Sequence, residues 1–284
     1  MTIVDAQIHI WGPNTPARPW LSEAWKNHSA GAFDAPMVLA AMDAAGVDRA
    51  VLVPPSWEGG RNDLALAAAV AHPDRLSVFG RLQLQQPDDP RLLDKWQTQP
   101  GMLGLRYTFT TDDAIAALED GAVDWLWQAA ERADIPLMVL PLPHLVPRFG
   151  AIADRHPGLR LIIDHLGRLT TGRKDDAAFA DLPELLALAR RPNVAVKASA
   201  LPTYSTQAYP FGGLHPYIRQ VYDAFGPRRM FWGSDLTRLN CSYRECIELF
   251  TEALPWLTAE DQRLIMGEAL CSWIGWAVPS TADT

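Results

Sequence analysis

The chain holds only three cysteines in 284 residues, Cys241, Cys246 and Cys271, and no CxxC pair. So sparse and odd a set excludes a disulfide scaffold and a cysteine-built zinc site, and it points to a reducing compartment. Long apolar runs are also missing. The longest, residues 135–143, contains prolines and falls far short of the ~20 residues that span a bilayer. No basic segment with a cleavage site precedes the first strand-like run. These absences predict a soluble, cytoplasmic protein with no membrane partner. Positive charge is in deficit, with 25 Lys+Arg against 33 Asp+Glu and a net charge of −8. That balance argues against a nucleic-acid face. Neither a P-loop nor HExxH occurs, and the first strand is followed by Trp11-Gly12-Pro13-Asn14 rather than a glycine-rich dinucleotide turn.

What is present is a rhythm. Eight short, β-branched runs alternate with alanine- and leucine-rich segments: 3–10, 49–54, 76–82, 102–107, 137–140, 159–164, 194–198 and 229–233. Their spacing of roughly 30 residues is the size of a strand-helix unit. Proline and glycine punctuate the helical segments, as at Gly46, His72-Pro73, Pro157-Gly158 and Gly226-Pro227, because neither residue continues a helix well. Runs such as Leu159-Arg160-Leu161-Ile162-Ile163 are almost continuously apolar, as strands of a parallel sheet covered by helices must be. The pattern predicts an α/β fold, a (β/α)8 TIM barrel forming one domain over residues 1–284. Two long segments interrupt it, 11–35 with Trp20, Trp25, His28 and Phe33, and 199–213 with Tyr204, Tyr209 and Phe211. Their aromatic content suggests packed lids. A tryptophan-rich helical stretch at 258–276 offers either a closure of the barrel mouth or a homodimer face.

Chemistry-bearing residues fall at strand ends. Alternation along the first strand places Asp5, Gln7 and His9 on one face, with Val4, Ala6, Ile8 and Ile10 on the other. His9 lies nearest the C-terminal mouth, where barrel active sites are built. The sixth strand ends in Asp164-His165, of which one faces the pocket and the other braces a loop; His165 is the pocket candidate. Asp235 stands just beyond the eighth strand, where a carboxylate can activate water or ligate metal. Cations sit near other strand ends. Arg106 can hold a carboxylate through two parallel hydrogen bonds, with Arg81 and Lys197 as further candidates. Lys197 has the alternative of pairing with a buried acid. Trp11, Tyr107, Tyr204 and His215 complete the candidate wall, and Thr237 and Arg238 fall at the outer mouth.

Taken in order, the runs Asp5-Ala6-Gln7-Ile8-His9, Met42-Asp43-Ala44-Ala45-Gly46-Val47, His156-Pro157-Gly158-Leu159, Ile163-Asp164-His165-Leu166-Gly167, Asn193-Val194-Ala195-Val196-Lys197 and Phe231-Trp232-Gly233-Ser234-Asp235 resemble the amidohydrolase-2 group of TIM-barrel hydrolases. The resemblance extends from Ile3 to Trp276. It is to the branch containing 2-pyrone-4,6-dicarboxylate lactonases, sugar lactonases and related carboxy-lyases. It implies that His9, His165 and Asp235 are catalytic, and that Gln7 replaces the first histidine of Asp-x-His-x-His. The fifth strand supplies neither the histidine nor the carboxylated lysine of metal-dependent relatives. Zinc needs about three protein ligands and an open position. His9, His165 and Asp235 would just meet that count, but Gln7 is a poor substitute for an imidazole, so the expectation is a site without a cofactor, with zinc on those three residues as the alternative. The function expected is hydrolysis of a lactone or related carbonyl compound bearing a carboxylate, by water that Asp235 activates. Its alternatives are a zinc-dependent decarboxylase and a catalytically weak barrel that binds an acidic metabolite.

Overall fold

A computed structural model describes residues 1–28, 31–83 and 91–277. Eight parallel strands pair in chain order: β1 (Val4–Ile8), β2 (Arg49–Leu52), β3 (Leu76–Gly80), β4 (Met102–Phe109), β5 (Leu137–Pro141), β6 (Leu161–Ile163), β7 (Val194–Ser199) and β8 (Met230–Gly233). Helices lie between them, giving a nearly closed (β/α)8 TIM barrel. All eight expected strands are present, with ends that differ by at most two residues. A helix over Asp112–Glu119 and a short helical stretch over Leu92–Thr98 were not foreseen.

Local chemistry explains the helix ends. Asp34 caps Ala35–Ala45 by accepting from the Met37 N–H, and that helix stops at Gly46, whose φ of 77° is easily reached without a Cβ. Ser242 and Glu245 form a reciprocal cap on Tyr243–Thr251.

Two apolar layers divide the core. The larger lies between the strands and the outer helices. The smaller fills the lower barrel with Val4, Ala6, Val51, Phe79, Met138, Ile162, Ala195 and Phe231. Leu264, Ala269, Leu270 and Ile274, from Leu264–Glu268 and Ala269–Ile274, pack against it. Trp273 packs there too, and Trp276 lies under the Arg49 guanidinium at 3.9 Å. The C-terminal aromatics therefore cover the barrel rather than its mouth. Burying a large apolar side chain of this kind contributes roughly 1.5–3 kcal/mol.

The alternation expected for β1 fails. Its pairing with β2 shifts register between Asp5 and Ile8. Such an irregularity turns the following side chains to the other face. Val4 and Ala6 consequently belong to the barrel interior and Ile8 to the outer layer. Asp5 points outward, where its Oδ1 accepts from the backbone N–H groups of Gln7 and Ser234, both at 2.9 Å. Its Oδ2 accepts from the Tyr243 hydroxyl at 2.7 Å. The Asp235 N–H donates to the Gln7 carbonyl at 3.0 Å. Asp5 is thus a side-chain clamp across the seam between β1 and β8.

Burial pushes the Asp5 carboxyl up to about 6 from an ordinary 3.8, against the hydrogen bonds it accepts. Between those values the folded chain holds a proton that the unfolded chain has released, so this group's contribution falls as pH rises through the window. Asp5→Asn should lower stability by ~1–3 kcal/mol through the imperfectly satisfied clamp. The gap between wild type and variant should be wider near pH 4 than near pH 7, as measured by urea unfolding at both.

Candidate active site

Three strand ends leave regular geometry at the mouth. His165 and Leu166 after β6, Ala200 after β7 and Asp235 after β8 have φ of 50°, 54°, 57° and 53°. Left-handed backbone costs a side-chain-bearing residue roughly 1–2 kcal/mol, and such strain collects at functional sites. Its effect is visible at β6. Asp164 continues the inward phase of Ile162, and the turn at His165 then brings the next side chain to the mouth as well. Both residues are buried.

Asp235 is the centre of the mouth. Its Oδ1 lies 3.3 Å from His9 Nε2, and its Oδ2 lies 3.7 Å from His165 Nε2 and 3.4 Å from Arg238 Nε. Burial alone would raise this carboxyl. The facing His9, His165 and Arg238 outweigh burial and hold it well below the usual range. His165 is pushed down to about 4, chiefly by burial. Its Nδ1 meets the Ser199 hydroxyl at 2.8 Å. Near neutrality the site therefore offers a carboxylate beside an uncharged imidazole.

A polar layer supports this centre from below. Lys197 Nζ lies 2.7 Å from Asp164 Oδ1, and Arg106 Nε donates to Asp164 Oδ2 at 2.9 Å. Burial opposes ionisation of Asp164, but the charges of Lys197 and Arg106 prevail and lower it. Lys197 also donates to Gln7 Oε1. An ammonium can only donate, so the Gln7 oxygen faces it and the Gln7 NH2 is directed to His9 Nε2, 3.1 Å away. His9 Nδ1 is 2.6 Å from the Val53 carbonyl, which can only accept. Both ring nitrogens of His9 are thereby occupied by fixed partners.

Above these groups opens a cavity of about 1420 Å³. His9, His165, Asp235, Arg81, Arg106, Tyr107 and Arg238 line it, as do Trp57 and His28. Arg81 reaches Thr108 Oγ1 at 3.4 Å through one nitrogen, while its Nη1 and the Tyr107 hydroxyl are buried without a hydrogen-bond partner among the described residues. Burial and the nearby Arg106 charge bring Arg81 down to about 9, which still leaves it a cation near pH 7. Burial raises the Tyr107 hydroxyl, which is neutral and able to donate.

The sequence candidates therefore separate. His9, His165, Asp235, Arg81, Arg106 and Tyr107 share one cavity wall. Gln7 and Lys197 sit beneath it, and the charge of Lys197 is directed to Asp164 rather than to an open anion position. Trp11 is buried behind the wall, edge-on to Trp57 at 5.2 Å. The Tyr204 hydroxyl donates to the carbonyls of His165 and Arg168, away from the cavity. His215 is bonded to the Pro210 carbonyl.

Several supporting residues were missed. Asp164, expected as a loop brace, instead faces inward to Lys197 and Arg106, a position that strand phase with Ile162 could have shown, as phase with Ala195 and Lys197 could for Ser199. His28 carried no signal beyond its long loop. It lies edge-on to Trp57 and His9, with ring centroids 4.8 and 5.5 Å away, and its Nδ1 meets Thr237 Oγ1 at 2.6 Å. Burial pushes it down to about 3.

A metal would need free lone pairs here. Among the described residues no group of three or more His, Cys, Asp or Glu is arranged to hold one. The nearest approximation, His9 with His165 and Asp235, has its His9 Nε2 capped by an amide donor. The donor set in this arrangement does not fit a resident divalent ion.

The architecture and the sequence have known counterparts. A solved amidohydrolase structure from Burkholderia multivorans with bound zinc matches at a TM-score of 0.81 and 23% identity, over 97% of this chain and 99% of that one. A probable 2-pyrone-4,6-dicarboxylic acid hydrolase from Acinetobacter baumannii, solved with citric acid bound, matches at 0.78 and 18%, over 97% and 100%. At these identities both likenesses establish the fold. An L-fucono-1,5-lactonase of Burkholderia ambifaria is 29% identical over 243 residues, 82% of this chain and 79% of that protein. The Amidohydrolase family pattern matches residues 4–269. The chain belongs to the Amidohydrolase family and is an enzyme, a hydrolase.

Proposed function

We propose that this enzyme opens the ring of a small lactone bearing a carboxylate, by metal-free attack of water activated by Asp235. The observation that carries the reading is the Asp235 carboxylate at the cavity floor, 3.3 Å from one imidazole and 3.7 Å from another. The lactonase name of the Burkholderia ambifaria relative supports the same reaction class.

Water between Asp235 and the lactone carbonyl gives a proton to the carboxylate as its oxygen attacks the carbonyl carbon. With Ser199 donating to Nδ1, His165 carries its proton on Nε2 and directs it to the developing oxyanion. One such donor contributes about 3 kcal/mol in a preorganised site. Collapse breaks the ring C–O bond, and Asp235 returns the proton to the leaving oxygen, giving a hydroxy acid. His9, whose two nitrogens meet the Val53 carbonyl and the Gln7 amide, acts here as a fixed wall beside Asp235 rather than as a second oxyanion donor.

The cavity's cations suggest how the substrate is oriented. Arg106 gives its Nε to Asp164, whereas Arg81 Nη1 and the Tyr107 hydroxyl are buried donors without partners among the described residues. Unpaired buried donors are costly, and a bound carboxylate would satisfy both. Arg81, assisted by Tyr107, is the proposed anchor, and the Arg106 charge contributes at longer range.

On a lactone panel followed by product mass, Asp235→Asn should reduce kcat by roughly 10²- to 10⁴-fold while substrate still binds. Retained turnover in that variant, or loss of carbon dioxide in place of ring opening, would refute the mechanism. Arg81→Met should raise KM for carboxylate-bearing lactones by about 10- to 100-fold and leave neutral lactones little changed. Prolonged chelation should leave the wild-type rate intact; zinc-restored activity after its loss would overturn the metal-free assignment.

A further inference from the structure

Gln7 is held between Lys197 and His9, and those surroundings have a physical consequence. The Lys197 ammonium is fully buried, donates to Gln7 Oε1, and lies 2.7 Å from Asp164 Oδ1 and 3.2 Å from Met138 Sδ. Asp164 is itself braced by Arg106. Lys197 has no room to withdraw, and turning the Gln7 amide over would bring its NH2 against an ammonium, donor against donor. The amide is therefore locked with its NH2 on His9 Nε2. His9 cannot offer its other nitrogen instead, because Nδ1 is held at 2.6 Å from the Val53 carbonyl.

We infer that the buried Asp164–Lys197–Gln7 chain is a metal-exclusion device: it keeps the His9 lone pair covered so that His9, His165 and Asp235 cannot together hold a divalent cation. Two effects act in the same direction. A cation entering between the imidazoles must displace an amide donor that has nowhere to turn. It must also approach the Lys197 ammonium, a like charge in a region with little water to screen it. Lys197 is thus a positioning residue that acts through Gln7, rather than a substrate contact. Supporting groups one step removed from a metal typically change affinity by about 10- to 100-fold, which sets the size of effect to expect. The inference rests on the metal-free reading of the site, but it is read from metal uptake rather than from turnover.

The test loads full-length protein with Co2+ or Zn2+, removes the excess by dialysis, and measures bound metal by elemental analysis together with the visible absorption of tetrahedral cobalt. Wild type should retain well under about 0.1 equivalent. Gln7→Glu has the same shape and keeps a partner for Lys197, but presents only oxygen to the site. It should bind metal about 10- to 100-fold more tightly and retain roughly one equivalent. Lys197→Met, wherever circular dichroism shows it folded, should show the same gain because the Gln7 amide is then free to rotate. Stoichiometric metal in wild type that His9→Asn abolishes would overturn the proposal. So would Gln7→Glu that takes up no more metal than wild type, whatever the outcome of the lactone assays.

Discussion

The site depends on one buried carboxylate. Asp164 lies between Lys197 and Arg106 at 2.7 and 2.9 Å, in the layer where the apolar lower barrel gives way to the reactive mouth. None of the three charges could occupy that depth alone. Removing one partner of such a group typically costs about 3–5 kcal/mol, because the remaining charge is left uncompensated. Together they form a rigid polar floor. Lys197 orients Gln7, Gln7 caps His9, and His9 lies against Asp235. The surroundings of Asp235 are thus set by an ion cluster that lies beneath it.

This arrangement also gives the two neighbouring histidines different characters. His165 meets a hydroxyl, which can donate to Nδ1 and leave a proton available on Nε2. His9 meets a carbonyl on one side and an amide donor on the other, so both of its positions are filled. Two imidazoles flank one carboxylate, yet they differ in the partners that hold their ring nitrogens. Residue type alone would have made them equivalent.

Much of the barrel was legible because its signal is local and repeated. Near-continuous apolar runs such as Leu161-Ile162-Ile163, helices punctuated by glycine and proline, and a unit length of about 30 residues all report a parallel sheet wrapped by helices. His165 and Asp235 were legible for the same reason, as polar residues at the C-terminal ends of apolar strands. The phase of β1 was not. A shift between Asp5 and Ile8 reverses the faces, and Asp5 becomes the outward clamp of the seam while Val4 and Ala6 turn inward. Single-sequence alternation assumes an unbroken two-residue period, and one irregularity removes that basis. His28 was equally hidden, since a histidine in a 25-residue loop has no periodicity to place it.

By itself the sequence determined the barrel, the order of its strands and the strand ends that carry His9, His165 and Asp235, because hydrophobic period and breaker residues act over a few neighbours. The tertiary structure alone decided which charges neutralise one another. Arg106 and Lys197 come from β4 and β7 and Asp164 from the turn that follows β6, and whether a cation faces substrate or a buried acid depends on distances that no local pattern encodes. Arg81 Nη1 and the Tyr107 hydroxyl are among the buried donors left without a partner among the described residues, and that distinction arises only when the strands have closed around a common axis.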